Sequence, residues 1–191
     1  MVDATERPFL MYVEDVFRLQ QGRVVSLTGR IERGSVRKGN EVEIVGAGSG
    51  RVTACVVAID QEHARIDEAS AGMNVRVLLR GVAAEAVARG QVLATPGSIR
   101  SHAAFTAEIV LLSEEQGSTD VVCGDRLHFY IGAAAVWGTV TLHGVDTVRP
   151  LHGATVTVSL EELVALEEGR SFAFRHHRRA AGSGTVTQLL C

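Results

Sequence analysis

Short apolar runs of alternating residues, cut at close intervals by glycine, limit what this chain can fold into. Val42-Glu43-Ile44-Val45 alternates, Val52-Thr53-Ala54-Cys55-Val56-Val57 does so in part, and Asn74-Val75-Arg76-Val77-Leu78-Leu79 follows a turn at Gly72. Val24-Val25-Ser26-Leu27-Thr28 is β-branched and apolar. The second half repeats the pattern in Phe105–Leu112, Arg126–Ile131, Val136–Leu142, Thr155–Leu160, Ser171–Arg175 and Gly182–Leu190. A repeat of two belongs to strands with one buried face, whereas helices repeat every 3.6 residues. Gly22, Gly29, Gly34, Gly39, Gly46, Gly48 and Gly50 offer the positive-φ positions of tight turns. The spacing predicts an all-β chain of two small barrels, each of roughly 90 residues. Thr95-Pro96-Gly97-Ser98 reads as a hinge between them, giving domains 1–97 and 98–191. One short helix, of a turn or two, is expected over Val82–Arg89, closed by Gly90.

Several functions are excluded by what the residues cannot do. Lys38 is the one lysine, set between Arg37 and Gly39. A phosphate-binding loop needs Gly-Lys-Ser/Thr, so that backbone amides cradle the phosphates while the lysine reaches the β and γ oxygens. The guanine-reading Asn-Lys-x-Asp box also needs a lysine in a different setting. Cys55, Cys123 and Cys191 are odd in number and widely spaced, which predicts free thiols and no zinc site. His176-His177 would point to opposite faces of a strand, and Glu114-Glu115, Glu161-Glu162 and Glu167-Glu168 read as solvated charges. No catalytic constellation and no cofactor is expected. Trp137 could stack on a base, but a lone aromatic on a strand reads first as core. No apolar run reaches the roughly 20 residues of a membrane helix. MVDATERPF has no secretory apolar core, so no membrane partner and a cytoplasmic location are expected. A net charge of −3 argues against strong autonomous binding of nucleic acid.

Thr28-Gly29-Arg30-Ile31-Glu32-Arg33-Gly34 and its continuation to Gly46 resemble the start of the second domain of bacterial elongation factor Tu, the GTPase that carries aminoacyl-tRNA to the ribosome. Val13–Phe17, Ala71–Val75, Leu78–Val82 and Arg89–Ile99 are similar to further parts of that domain and its bridge. Ala107–Ile109, Leu166–Ala173 and Gly182–Val186 resemble the third domain. The resemblance implies two six-stranded antiparallel β-barrels in tandem, without the GTPase domain.

It also implies where a site would lie. The family's asparagine that hydrogen-bonds the aminoacyl group is Asn74 here, and an amide offers both donor and acceptor to an ester and an amine. Asn74 could instead only shape a turn, since asparagine tolerates left-handed backbone. Asp60 takes the place of the glutamate beneath the terminal adenine, and Leu78 keeps an apolar wall. Ser26 replaces a valine, and Thr28 stands at the same aminoacyl end. Glu62-His63 sets a carboxylate where RNA would approach. In the third domain, Arg175-His176-His177-Arg178-Arg179 replaces a hairpin that faces the tRNA T-stem. Arg175, His177, Arg178 and Arg179 are the phosphate-contact candidates; a solvated basic tip is the alternative. The expected role is a non-catalytic translation module that binds tRNA, weakly when alone. A protein-interaction module is the rival, pairing with a separate GTPase domain or an exchange factor, or capturing an antibiotic aimed at the factor.

Overall fold

A computed structural model describes residues 3, 5–48 and 51–191. The chain resolves into two compact units, residues 1–100 and 101–191.

The first unit uses β1 (Leu10–Tyr12), β2 (Asp15–Leu19), β3 (Val24–Arg33), β4 (Ser35–Arg37), β5 (Glu41–Val45), β6 (Val52–Gln61), β7 (Ala64–Ile66), β8 (Glu68–Ser70), β9 (Asn74–Arg80) and β10 (Val92–Ala94). Six of them run β1-β10-β5-β6-β9-β3, and β3 returns to β1, which closes an antiparallel barrel. β2 pairs with the first half of β3, β7 pairs with the end of β6, and β4 and β8 form a small separate ribbon. Alternation sends Leu27, Ile31, Val56, Val77, Leu79 and Leu93 into the core, all completely shielded from solvent.

The second unit uses β11 (Arg100–Leu111), β12 (Val121–Val122), β13 (Arg126–Ile131), β14 (Ala134–Leu142), β15 (Thr147–Val148), β16 (Gly153–Leu166), β17 (Ser171–His176) and β18 (Arg179–Leu190). Its closed barrel runs β11-β16-β14-β13-β17-β18. Phe105, Phe129, Phe172 and Phe174 fill the centre, with Phe172 meeting Phe105 edge-on at 5.5 Å and Phe129 at 5.8 Å between ring centroids. Such edge contacts match the positive ring edge to the negative ring face. Room for these rings depends on β18. A β-carbon at Gly182 would lie 2.7 Å from Cζ of Phe174, and one at Gly184 would lie 2.6 Å from Cζ of Phe172.

Two expectations change. The segment Val82–Arg89 forms only a single 3-10 turn, Ala84–Ala86, with extended backbone at Ala83 and Val87. Local propensity alone cannot hold a helix of eight residues, and extension lets Val82, Ala84 and Val87 all reach the core. Gly29 does not make a turn. It lies inside β3, where a β-carbon would collide with the carbonyl oxygen of Tyr12 on the crossing β1. Gly50 lies outside the described residues, whereas Gly22, Gly34, Gly39, Gly46 and Gly48 do take positive φ.

The Thr95–Ser98 segment is a fastened turn. Ser98 N–H donates to Thr95 O, and Gly97 N–H donates to Oε2 of the buried Glu43 at 2.7 Å. Arg51 Nε donates to the other oxygen of that carboxylate at 2.8 Å. The Arg51 hydrogen bond, aided by Gly97, holds the Glu43 carboxyl below its ordinary range despite burial.

Replacing Gly29 by alanine should destabilise the first barrel by about 3 kcal/mol, since neither crossing backbone can yield. Gly39→Ala, where a β-carbon meets only open space but φ is positive, should cost about 1 kcal/mol. Denaturant midpoints of the two variants test the order; equal midpoints would contradict the crowding at Gly29.

Candidate functional site

On the outside of the first barrel, strand register lines up Thr28 of β3, Arg76 of β9 and Asp60 of β6 as direct neighbours. Val75, Val77 and Leu79 point inward, so Arg76 and Leu78 must stand on the outer face. Asn74 is the first residue of β9. An open cleft of about 430 Å³ is lined by Thr28, Asp60, Asn74 and Arg76 together with Glu14, Glu62 and His63. Three of the four expected aminoacyl-end residues therefore share one cleft.

Leu78 does not line it. It is half-buried further along β9, opposite Ser26 and Ala58. Ser26 is only 1% exposed and faces Phe17 of β2. Its Oγ finds no hydrogen-bond partner among the described residues. Arg76 holds its Cζ 5.8 Å from the centre of the Phe17 ring, so a cation covers the aromatic beside the cleft. Arg76 is a contributor that motif reading passed over, although the alternation of β9 fixes its outward parity.

The turn reading of Asn74 fails. The positive φ of the preceding turn is at Gly72, and Asn74 is not left-handed. Its exposed amide makes no side-chain hydrogen bond among the described residues and is available to a ligand. Asp60 is differently placed. Arg65, its partner across the β6–β7 hairpin, donates Nε to Oδ1 at 2.6 Å. Its charge is largely answered within the protein. Glu62 and His63 form the tip of that hairpin, with φ of 47° and 66°, the left-handed pair that a type I′ turn requires.

The second barrel carries the basic hairpin. His177 and Arg178 are the two turn residues between β17 and β18, with φ of 49° and 66°. His177 is thus not on a strand, and the expectation of opposite-facing rings is overturned. The His176 and His177 rings stack at 3.9 Å with 28° between planes. His176 is buried, with Nε2 3.5 Å from Asp125 Oδ2 and Nδ1 3.4 Å from Thr119 Oγ1. Burial, then the neighbouring His177 charge, pushes the His176 imidazole below its ordinary value, and Asp125 offsets this in part. His176 belongs to the structure; His177 is the exposed ring. Arg175, Arg178 and Arg179 are exposed and make no ion pair among the described residues. Arg179 also lines a second cleft of about 390 Å³ with Glu114, Ser118, Thr119, Asp120 and Pro150. Among the described residues, no three histidine, cysteine or carboxylate side chains converge as metal ligands.

Trp137 corrects another expectation. It is 37% exposed on the outer face of β14, because Val136, Gly138 and Val140 take the inward positions. The core is filled by phenylalanines instead.

Residues 22–94 match the family model described as elongation factor Tu domain 2. Residues 98–190 match that of the elongation factor Tu C-terminal domain.

The lowered His176 pKa gives a pH prediction. The folded state binds its proton less tightly than the unfolded chain, so this contribution to stability is complete above about pH 6.5. It is lost progressively as pH falls below that value. Chemical denaturation of wild type and His176→Gln between pH 7.5 and 5.5 should show a steeper decline for wild type; parallel declines would refute the coupling.

Proposed function

The chain joins a domain 2 and a C-terminal domain of the elongation factor Tu type, making it a translation-factor-like module, and from that premise we propose that it binds aminoacyl-tRNA without catalysing a reaction. The observation that carries this reading is the Asn74 amide, exposed and unpartnered in the same cleft as Thr28 and Asp60. An amide placed there can donate to the ester carbonyl of a charged acceptor end and accept from its amine. Asp60, held by Arg65, lines the cleft, and Leu78 and Phe17 offer apolar surface nearby for the terminal base. On the second barrel, Arg175, Arg178 and Arg179, with His177 between them, form a basic tip able to receive backbone phosphates.

Binding by these two domains alone is weak in this reading. The cleft also carries Glu14 and Glu62, whose charges oppose an RNA end. A net charge of −3 leaves only local clusters to attract phosphate. A dissociation constant of roughly micromolar or weaker is expected at physiological salt.

The acid-lined cleft supports a second reading, in which the first barrel engages a protein. The Asp60–Arg65 pair and the Arg76 cap over Phe17 leave less open apolar surface for a base than the family arrangement implies. A separate GTPase domain or an exchange factor is the partner this reading names, and an antibiotic directed at elongation factor Tu is a further ligand.

Fluorescence anisotropy with charged and uncharged tRNA at low salt separates the two. Wild type should prefer the charged form, and Asn74→Ala should erase that preference while leaving residual binding. Arg178→Ala/Arg179→Ala should weaken both forms by about tenfold and flatten the salt dependence. Absence of binding by either tRNA, or retention of the preference in Asn74→Ala, would favour the protein-partner reading.

A further inference from the structure

Aromatic side chains are scarce here, with one tryptophan, two tyrosines and six phenylalanines in 191 residues. Four of the phenylalanines are spent on the second barrel's core. Yet the tryptophan and one tyrosine stand together on that barrel's outside, where they contribute nothing to the core. Arg126, His128 and Tyr130 occupy alternate outward positions of β13. Trp137 of β14 lies directly opposite His128, and Arg175 of β17 lies opposite it on the other side.

These side chains form a continuous stack. The His128 and Trp137 rings are nearly parallel, 4.5 Å apart with 11° between planes. Tyr130 leans on His128 at 4.7 Å, and its hydroxyl is 3.0 Å from His128 Nδ1. Arg126 holds its Cζ 4.3 Å from the indole centre, and Glu161 fixes that guanidinium through two hydrogen bonds of 2.6 and 2.9 Å. Arg175 places its Cζ 5.3 Å from the Tyr130 ring. Every member is held by a neighbour, so the surface is preorganised.

The stack is also open at one end. The residues paired with Tyr130 on either side are Ala135 and Ala173, both exposed and too short to shield the phenol. They leave a shallow step beside the ring. A planar group can settle there against the exposed edge of the phenol, alongside the Arg175 guanidinium that lies over the ring. Charge completes the picture. Arg126 is neutralised by Glu161, but Arg175 is not, and it begins the hairpin that bears Arg178 and Arg179.

We infer that the Trp137–His128–Tyr130 stack is a platform for an unpaired nucleobase of RNA whose adjoining phosphates are held by Arg175, Arg178 and Arg179. A duplex hides its base faces in its own stack, so the platform selects a single-stranded segment, whereas the basic tip alone would accept either. The assignment rests on the RNA-binding reading proposed above and adds to it the kind of RNA and the residues that sense it.

The lone tryptophan makes the test direct. Indole emission would be followed while a short single-stranded RNA, or a blunt-ended duplex RNA of equal length, is added at low salt. Single-stranded RNA should quench the emission to saturation, and duplex RNA should bind without comparable quenching. Tyr130→Ala and His128→Ala, which keep Trp137 and leave the core untouched, should each weaken single-strand binding by about tenfold. Duplex binding should remain unchanged, and circular dichroism should match wild type. Equal affinity for both RNAs, unquenched and indifferent to these variants, would overturn the platform and leave the RNA reading standing. No binding of any RNA would overturn both. Capture of a protein partner that Tyr130→Ala abolishes, without RNA quenching, would assign the patch to protein and overturn the inference.

Discussion

Ring closure is the constraint on which the rest of this molecule depends. In the first barrel the three-residue β1 pairs with β10 on one side and β3 on the other, so a very short strand removes both open edges at once. Closure fixes register. A one-residue slip would turn every outward side chain inward, and the core would then receive Arg76, Thr28 and Asp60 in place of Val77, Leu27 and Ile59. The second barrel closes through β11 and β18, where Gly182 and Gly184 make room for two phenylalanine rings. The positions of the candidate ligand-binding residues are therefore consequences of how the interior is packed.

This dependence explains what could be read from the residues beforehand. The all-β class and most strands follow from a repeat of two, a signal local enough to survive without knowledge of neighbours. Asn74, Thr28 and Asp60 share a cleft because three strands in register bring them side by side, and similarity to a known family anticipated that grouping. The outward parity of Trp137 is also present in Val136-Trp137-Gly138-Thr139-Val140, although a lone large aromatic on a strand more often faces inward. Other features were not legible. The stacking of His176 on His177 depends on a two-residue turn starting between them, and the Asp60–Arg65 pair depends on the hairpin that brings β7 beside β6. Helix over Val82–Arg89 failed because burial of three apolar residues outweighed local propensity.

The outer surfaces divide their charges unevenly. Around the first cleft stand Glu14, Asp60, Glu62 and Arg76, and Asp60 is paired with Arg65. Around the β17–β18 hairpin, three arginines lack such partners, while Glu161 is used to orient Arg126 over an indole. One surface is suited to fixing a small polar group by hydrogen bonds, the other to gathering phosphate and a flat ring. Neither depends on a high net charge, which agrees with a slightly acidic chain that keeps its unpaired arginines in restricted places.

Seven non-glycine residues have positive φ among those described, and four of them, Glu62, His63, His177 and Arg178, form the tips of the two hairpins beside these surfaces. Left-handed backbone costs a residue with a β-carbon about 1 kcal/mol relative to glycine. Asparagine-glycine pairs would suit both bends better. A lineage selected solely for heat tolerance would be drawn toward such pairs and would discard charge at both rims as it hardened. Keeping glutamate, histidine and arginine there holds charge at both rims at a cost in backbone energy.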